Sequence, residues 1–319
     1  MGIIWCKEEV QWAQKNILLL RQSATAQPTT AICLNASKRQ KSLPNRFSLL
    51  LATIFFGGEK EDLALLHQTY AEHPDCEFIE IAHTKDRLYN RYINRSPKDN
   101  DWQDFWHSTT RYVPFFFLKE AIEYILFLDS DEIIEGKKFA EWLEGGEHLR
   151  YDAIRFLQYY YFREARYRAK DFQTGGLMAK KSAVKPFLLM NTDDRCGIFH
   201  AIAGDKKEGL SFENSPMIHH YSWVKTEAEC LLKADNWGHH WEKDWKSLIK
   251  EEFSRDFNGR DFIDNRPYVI DSNPYFDPLS VPVVRKKVEQ RIFPHVRKVD
   301  DHEIKRRELA FEFNIPYTP

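Results

Sequence analysis

The chain has 319 residues, of which 43% are hydrophobic and 14% aromatic, so it can bury the core of one large domain or of two small ones. Its formal net charge is −2 and its pI is about 6.6, and neither value points to a nucleic-acid-binding protein. The five cysteines are scattered and include no C-x-x-C pair. This pattern favours a reducing compartment and argues against both a disulfide framework and a zinc site.

The sequence contains no stretch that is suited to cross a bilayer. The apolar run at 47–56 is too short, and the run at 112–128 is interrupted by charged residues. The apolar residues near the N-terminus are too few for a signal peptide. We therefore expect a soluble, cytoplasmic protein.

Residues 1–45 are predicted to be an N-terminal extension that is poorly ordered by default. A short helix over residues 10–20 is the element expected within it. A polar stretch and a basic segment follow that helix, and the sequence assigns no role to them.

A strand, a helix and a second strand open the regular part of the chain. Residues 48–56 are an apolar run that ends at Gly57 and Gly58. An amphipathic helix with acids in its first turn then closes before Pro74, and residues 76–82 alternate as a strand does. This order predicts a βαβ unit. The two glycines would let the backbone approach a ligand closely, or they simply terminate the strand.

The next segments lead to an acidic strand. Residues 83–106 are polar and are predicted to be a loop with some helix. A helix is predicted over residues 108–122, where Pro114 either kinks the helix or lies in the first turn of its second part.

The stretch YILFLDSDE, residues 124–132, is the strongest chemical signal in the sequence. Its apolar residues do not alternate, which predicts a strand buried on both faces, and Asp129, Asp131 and Glu132 follow at once. The carboxyl end of a central strand in an open α/β sheet faces the crevice where ligands bind. Carboxylates there suit Mg²⁺ or Mn²⁺, which in turn binds phosphate oxygens. The alternative is a polar turn after a core strand.

The remaining elements follow in order. A short helix is predicted at 137–143, and strands are predicted at 152–162, 175–180, 198–203 and 216–224. From Thr226 the period becomes helical, beginning with a capping box that Thr226 and Glu229 form. Aromatic residues between 237 and 253 recur at helical spacing and predict a packing face. After an irregular Pro-rich region at 264–284, residues 300–313 form an amphipathic helix. Its basic face is either solvated or in peripheral contact with a membrane.

Three segments in this order resemble the family-2-type glycosyltransferases of the GT-A fold. They are residues 124–132, preceded by a helix that contains Arg111, then residues 197–200 (GIFH) and residues 220–225 (HYSWVK). The resemblance covers about residues 48–226. It implies an α/β fold, in which a Rossmann-like mixed sheet is flanked by helices and followed by a helical C-terminal extension. Residues 46–225 would then be the catalytic domain that binds a nucleotide sugar, and residues 226–319 would pack on its core.

The resemblance also implies an activity. Such a protein moves a sugar from a UDP- or GDP-linked donor to a glycan, lipid or protein acceptor, with help from Mn²⁺ or Mg²⁺ and with inversion, as a hexosyltransferase does. A divalent cation would offset the charge that builds on the leaving diphosphate. The acceptor hydroxyl must lose a proton, so a carboxylate or histidine base is required. Partners would be the donor and the acceptor, with no nucleic acid and at most peripheral membrane contact.

Some site residues match the family's motifs, whereas Gly57, Gly58, His83 and Asp86 are chosen because they follow the first two strands, and Asp205 because it lies near Ala201 in the sequence. The metal ligands would be Asp129, Asp131 and His220. The cofactor-binding residues would be Gly57, Gly58, His83, Asp86, Arg111 and Asp129. The catalytic residues would be Asp131, His200 and Asp205. His219 and His220 lie on opposite faces of a strand, so only one can face the crevice, and His220 is chosen from the resemblance.

Several alternatives remain open at these positions. Ala201 stands where the family has a glutamate, so the role of base must move to another group or be missing; the nearby carboxylates are Asp193, Asp194, Asp205 and Glu208. His200 could be structural, Asp205 could be a loop carboxylate, and the residues after the first two strands could be plain loop residues. Glu132 would either orient a neighbouring aspartate or face solvent.

Two other functions compete with a glycosyltransferase. A haloacid-dehalogenase-type phosphatase also has a buried strand that ends in Asp-x-Asp, with the first aspartate as nucleophile. Its motif normally lies on the first strand, whereas here a βαβ unit precedes it. A non-catalytic nucleotide-sugar-binding protein is the second alternative, and Ala201 favours it.

Overall fold

The structure is a computed structural model that describes most of the chain beyond residue 102 and shorter segments before it. The described residues are 17–22, 47–52, 63–72, 74, 77–81, 102–118, 120, 122–191, 194–236, 239, 242–280, 288 and 292–313. Over these residues the chain forms a mixed β-sheet flanked by helices, so the predicted α/β class is confirmed.

The strands and helices alternate through much of the described chain. The strands are β1 (Ile17–Gln22), β2 (Phe47–Ala52), β3 (Glu77–Ile81), β4 (Tyr124–Asp129), β5 (Glu132–Ile134), β6 (Ala153–Phe162), β7 (Glu164–Ala169), β8 (Gln173–Lys180), β9 (Lys206–Leu210), β10 (Ile218–Trp223), β11 (Tyr268–Ile270) and β12 (Val296–Val299). The helices are α1 (Leu63–Glu72), α2 (Trp102–Phe115), α3 (Gly136–Glu144), α4 (Pro186–Asn191), α5 (Arg195–Ala201), α6 (Glu227–Asn236), α7 (Trp245–Phe253) and α8 (Asp301–Glu312). Short 3₁₀ turns lie at Glu147–Arg150, Lys181–Ala183 and Pro278–Ser280.

The sheet has a parallel half and a mixed half. Its strand order is β11-β7-β6-β8-β4-β1-β2-β3-β12. All neighbours from β4 to β12 are parallel, whereas β8 runs antiparallel to both β4 and β6. The order β2, α1, β3 with parallel strands confirms the predicted βαβ unit. Off this path, β10 pairs parallel with β6 and antiparallel with β5, and β9 pairs with β6.

The core surrounds β4, as its sequence predicts. The side chains from Tyr124 to Leu128 are each at most 5% exposed, because the strand lies between β1 and β8 and is covered on both faces. Residues from α2 and α3, among them Val113 and Phe139, belong to the same buried cluster. Burial of each such apolar side chain stabilises the fold by about 1.5–3 kcal/mol. The strand that carries the acidic motif is therefore rigidly held.

The helix predicted over residues 10–20 is wrong for its C-terminal part. The structure places Ile17–Gln22 in β1, between β2 and β4, with Ile17 opposite Tyr124 and Gln22 opposite Asp129. Three consecutive leucines are typical of a strand covered on both faces, and parallel pairing on both sides overrides any helical preference. These six residues thus belong to the sheet and do not form an extension beside it.

The strand predicted over residues 198–203 is also wrong, because the structure forms α5 there. The side chain of Asp194 caps this helix by accepting a hydrogen bond of 2.7 Å from the Gly197 amide. Ile198 and Ile202, one helical turn apart, are at most 1% exposed. A spacing of four lies on one face of a helix or of a strand, but Arg195, three residues before Ile198, shares that face only in a helix.

Pro114 neither kinks a helix nor begins one. It lies in the last turn of α2, which ends at Phe115, and the chain then turns with the Phe117 amide donating to the Pro114 carbonyl at 2.9 Å. The helix ends seven residues earlier than predicted, since a proline there removes a donor from the helical ladder.

The C-terminal helices pack on two different parts of the sheet. The predicted capping box is confirmed at the start of α6. The described part of the aromatic stripe lies on α7, where Trp245 and Ile249 are buried against Trp223 and its neighbours. Trp237 and Trp241 lie outside the described residues. The basic face of α8 is partly used inside the protein, because Arg307 lies 4.0 Å over the Phe117 ring and donates to the Phe116 carbonyl. Among the described residues, no helix combines the length and the apolar composition that a bilayer crossing requires.

Candidate functional site

The site lies where β4 reaches the carboxyl edge of the parallel strands. Asp129 is the last residue of β4, Asp131 lies in the turn that follows, and Glu132 begins β5. Strand β10 runs antiparallel to β5 and places His220 opposite Glu132. The Tyr221 amide donates to the Asp131 carbonyl at 2.9 Å, which fixes the turn against β10. Residues 90 positions apart in the chain therefore meet because the two strands pair.

The three residues predicted as metal ligands form one cluster. Ligand atoms of Asp129, Asp131 and His220 all lie within 4.8 Å of one another. His220 Nε2 and Asp131 Oδ1 are 3.3 Å apart, and this oxygen is buried without a hydrogen bond. Two ligands at adjacent positions on an octahedral cation would be about 3 Å apart. An orphaned carboxylate oxygen beside an imidazole nitrogen thus fits a shared divalent cation.

The donor set also suits the expected cation. Two carboxylates supply hard oxygen ligands and one imidazole supplies a nitrogen, a combination that Mn²⁺ accepts and that Mg²⁺ tolerates. The three side chains are each partly buried. Asp129, Asp131 and His220 therefore suit the divalent cation that the motif implies.

Arg195 completes the acidic end of β4. Its guanidinium donates to both Glu132 oxygens, at 2.5 and 2.8 Å, and to Asp129 Oδ2 at 2.9 Å. Glu132 is 0% exposed, and its Oε2 also accepts from the Asp129 amide at 2.9 Å. Of the two roles considered for Glu132, the structure has the orienting one, because this carboxylate holds both Asp129 and Arg195.

The charges of this group support one another. Burial lowers the pKa of Arg195, but the carboxylates of Asp129 and Glu132 raise it by more, so the guanidinium stays charged. Burial raises the pKa of Asp131, yet the His220 ring and the charges of Lys233 and Lys225 together hold that pKa well below its usual range. Asp131 is therefore an anion at any pH near neutrality.

Two lysines lie behind the cluster. Lys225 is 6% exposed, and Lys233 of α6 donates to the Ser222 carbonyl at 3.1 Å and also to the Ser222 hydroxyl. Burial lowers the pKa of Lys233 to about 8, although the nearby carboxylate of Asp131 raises it in part. Positive charge this close to the carboxylates makes the site suitable for an anionic ligand.

His219 points to the other face of β10, as the alternation of the strand requires. Its Nδ1 is 2.8 Å from the Tyr161 hydroxyl, its Nε2 is 2.9 Å from Glu135 Oε1, and its ring stacks on Tyr275 with centroids 4.4 Å apart. Burial lowers the pKa of His219, so this ring is neutral and part of an aromatic stack. The preference for His220 over His219 agrees with this geometry.

The other predicted catalytic residues lie apart from the cluster. His200 is exposed at the C-terminal end of α5, where its carbonyl accepts from Lys206 Nζ at 3.0 Å. Asp205 is exposed in the turn before β9, and its amide donates to Asp152 Oδ2 at 2.9 Å. Neither residue contributes an atom to the group of ligands formed by the described residues.

The predicted cofactor-binding residues divide into two groups. Asp129 belongs to the cluster, and Arg111 lies in α2 with only 1% of its surface exposed, enclosed by the core. Gly57, Gly58, His83 and Asp86 lie outside the described residues.

Sequence reasoning missed Arg195, Gln158 and Lys233. Arg195 opens a helix directly after two aspartates, and an arginine in that position can turn back toward the sheet. Gln158 is a lone amide inside the apolar strand β6, and its Nε2 lies 2.9 Å from His220 Nδ1. Lys233 lies three residues after the buried Cys230 in α6, within an otherwise apolar stretch. For Gln158 and Lys233 the signal was a polar residue within an apolar pattern.

Comparisons with known proteins give structural neighbours only. No protein-family profile and no curated protein sequence matches this chain. Among solved structures, the chain is similar to an active-site mutant of LgtC, with a TM-score of 0.38 and 10% identity over 66% of this chain and 89% of that chain. It is also similar to the apo form of mouse xyloside xylosyltransferase 1, with a TM-score of 0.36 and 9% identity over 64% of this chain and 96% of that chain. At such identities the functional assignment depends on the residues of the site.

Proposed function

We propose that this chain is a metal-assisted glycosyltransferase of GT-A type. It would transfer a sugar, as a hexosyltransferase does, from a UDP- or GDP-linked donor to a glycan, lipid or protein acceptor. The observation that carries the proposal is the convergence of Asp129, Asp131 and His220 at the carboxyl edge of the parallel strands. That edge is where open α/β sheets bind their ligands. The order of the three sequence segments gives independent support.

The donor's diphosphate accounts for the charges of the site. Asp129, Asp131 and His220 would hold Mn²⁺ or Mg²⁺, and this cation, when bound, would offset the charge that develops on the leaving diphosphate. Arg195 and Glu132 keep the Asp129 carboxylate in one orientation. Lys225 and Lys233 add positive charge to the surroundings, which favours an anionic leaving group.

The nucleotide would lie along the carboxyl ends of the neighbouring strands. Gly57 and Gly58 follow β2, and His83 and Asp86 follow β3, so we propose them as contacts for the base and phosphates. Strands β2 and β3 end beside each other in parallel register, with Ala52 opposite Ile81, which supports a shared binding edge.

The acceptor half of the reaction needs a base on the face opposite the leaving group if transfer inverts the anomeric centre. His200 and Asp205 stay predictions for this role, since Ala201 replaces the acid of the family motif. Both side chains are exposed, so a bound acceptor would have to bring the reacting hydroxyl to them. The scattered cysteines favour a reducing compartment such as the cytoplasm for the reaction.

The test is donor binding and turnover with a defined cation. Calorimetric titration of UDP and GDP with and without Mn²⁺ should show one nucleotide whose affinity depends on the cation. Release of that nucleotide from a panel of its sugar donors, measured by chromatography, should require Mn²⁺ and be lost in Asp131→Ala. Asp235→Asn is the matched control, because Asp235 is an exposed acid paired with Lys246 outside the site.

Other outcomes would identify another function. Tight nucleotide binding without consumption of any donor would support a non-catalytic nucleotide-sugar-binding protein and would refute the transferase. Hydrolysis of small phosphoesters that is lost in Asp129→Asn would support a phosphatase instead. Failure of both nucleotides to bind in the presence of Mn²⁺ would remove the basis of the proposal.

A further inference from the structure

Gln158 lies behind the imidazole of His220, on the side away from Asp131. It is a residue of β6, which pairs in parallel with β10 so that Tyr160 stands opposite His220 and Gln158 lies two residues before it on the same face. Its Nε2 is 2.9 Å from His220 Nδ1, and the residue is 2% exposed. The Tyr160 ring packs edge-on against the same imidazole, with centroids 5.3 Å apart. The ring of His220 is therefore held at its rear nitrogen while its front nitrogen faces Asp131.

Gly175 of β8 makes room for this amide. A Cβ built at Gly175 would lie 1.7 Å from Gln158 Oε1 and 2.1 Å from Gln158 Cδ. No side chain fits at that distance, so any other residue there would push the amide away from His220. The absence of a side chain at Gly175 thus leaves the space that the Gln158 amide occupies.

The contact links the orientation of the Gln158 amide to the tautomer of His220. A neutral imidazole has one N–H, and an amide nitrogen only donates, so in the present orientation Nδ1 accepts and Nε2 holds the proton toward Asp131. In that tautomer Nε2 has no lone pair for a cation. Binding a cation requires the proton on Nδ1, where it must meet an acceptor.

The side-chain amide of Gln158 also contains an acceptor, its oxygen Oε1. Its Oε1 is buried and makes no hydrogen bond in this orientation. A half-turn of the amide would bring Oε1 to Nδ1 and would satisfy this oxygen. An N–H on Nδ1 cannot face the amide nitrogen, which is itself a donor, so the amide turns once Nδ1 carries the proton.

We propose that Gln158, seated on Gly175, is a positioning residue that selects the His220 tautomer able to bind a divalent cation. With its amide nitrogen toward Nδ1 it supports the metal-free contact between His220 and Asp131. With its amide oxygen toward Nδ1 it presents Nε2 as a ligand. This inference rests on the proposed metal site and adds to it the residue that prepares the ligand.

Calorimetric titration with Mn²⁺ tests the positioning role directly. We expect Gln158→Leu and Gly175→Ala to weaken Mn²⁺ binding by about 10–100-fold, as loss of an outer hydrogen bond to a metal-bound histidine does. Gln158→Glu should bind Mn²⁺ at least as tightly as the wild type, because a carboxylate accepts from Nδ1–H without turning. Gln68→Leu is the control, since it removes a buried amide of α1 whose Nε2 donates to Glu72 at 3.1 Å.

Nitrogen chemical shifts of His220 give a second readout that does not depend on activity. In ¹⁵N-histidine-labelled protein, the wild-type ring should be protonated on Nε2 without metal and on Nδ1 with Zn²⁺ as a diamagnetic probe. Gln158→Leu should lose the clear preference without metal, and Gln158→Glu should hold the proton on Nδ1 throughout.

The outcomes separate this inference from the proposed function. If the wild type binds no Mn²⁺, the metal site and this inference both fail. If the wild type binds Mn²⁺ and Gln158→Leu binds it equally well with an unchanged His220 tautomer, the metal site stands and the role of Gln158 is overturned. Should Gln158→Leu not fold, the comparison of Gln158→Glu with Gly175→Ala decides, because equal affinities in those two variants would also overturn it.

Discussion

At the scale of single residues, the pair of Arg195 and Glu132 is the most consequential contact of the site. Glu132 is 0% exposed and the Arg195 side chain is 11% exposed, so their charges are removed from water and depend on each other. Removing one partner of such a pair leaves a buried charge without compensation, which costs far more than breaking a surface pair.

Arg195→Met should therefore destabilise the protein strongly. We expect a loss of about 3–5 kcal/mol in the free energy of unfolding, measured by denaturant titration. Arg255→Met is the matched control, because Arg255 is 51% exposed and pairs with Glu251 at the surface, and there the loss should stay below about 1 kcal/mol. Equal losses in the two variants would contradict the assignment of Arg195 as a buried anchor.

The double variant Arg195→Met with Glu132→Leu tests the cause. If the damage comes from an unpaired buried carboxylate, replacing that carboxylate by an apolar side chain should restore most of the stability lost in Arg195→Met. Denaturant titration of both variants gives this difference. The double variant should still bind Mn²⁺ poorly, because Asp129 loses the two groups that orient it.

Cys230 gives a prediction about thiol reactivity. This residue is 1% exposed, and burial raises the pKa of its thiol to about 11. Because only the thiolate reacts, about one thiol in a thousand would be reactive at pH 8 even if it were accessible. Raising the pH toward 11 increases the thiolate fraction, so labelling should accelerate with pH. In native protein treated with iodoacetamide at pH 8, peptide mapping should find Cys196 modified well before Cys230, and unfolding should remove the difference.

The site residues that could be predicted from the sequence are those that belong to a local sequence pattern. Asp129 and Asp131 end an apolar run, and His220 belongs to a recognisable segment, so the ligand cluster was predictable from the chain. Arg195, Gln158 and Lys233 were not, since the role of each depends on a neighbour more than ten positions away in the chain. His200 was chosen from a motif and Asp205 from its nearness in sequence, and neither criterion determines where a side chain points in the fold.

At the scale of elements, the capping box of α6 links a sequence signal to the site. The Thr226 amide and hydroxyl both donate to Glu229 Oε2 at 2.8 Å, and the Glu229 amide lies 3.4 Å from the Thr226 hydroxyl. The helix that this box begins carries Lys233 toward the carboxylates. A local motif at a helix start thereby fixes a charge within the site.

Thr226→Ala should destabilise the protein by about 1 kcal/mol, the usual effect of losing a helix cap. Thr226→Ser keeps the hydroxyl and should remain within a few tenths of a kcal/mol of the wild type in the same denaturant titration. A loss as large in the serine variant as in the alanine variant would show that the threonine methyl group, and not the cap, matters.

The elements that were predicted wrongly differ from the others in a physical way. Strand β4 and the βαβ unit are defined by long apolar runs and glycine or acidic boundaries, so local pattern was sufficient. Helix α5 is seven residues long, and its apolar residues fit a strand as well as a helix until the cap at Asp194 is recognised. Strand β1 depends on pairing with β2 and β4, which no local pattern contains.

At the scale of the whole molecule, the site is assembled from distant parts of the chain. Asp129 and Asp131 follow β4, Arg195 comes from α5, His220 from β10 and Lys233 from α6. The antiparallel pairing of β5 and β10 brings the histidine to the aspartates. Strand β1 ends beside the site, because its last residue, Gln22, pairs with Asp129. The fold class was predictable from the order of elements, but the meeting of these segments follows from strand pairing.

A bound cation should consequently stabilise the entire fold. Its ligands would join β4 and β10, which belong to the parallel and the mixed halves of the sheet, so unfolding of either half would release it. A ligand present at 100 times its dissociation constant and bound only by the folded state stabilises that state by about 2.7 kcal/mol. We expect Mn²⁺ to raise the melting temperature in a concentration-dependent way and excess EDTA to reverse the rise. Asp131→Asn should remove the effect of Mn²⁺ while Asp235→Asn keeps it, and an equal rise in both variants would mean that Mn²⁺ binds elsewhere.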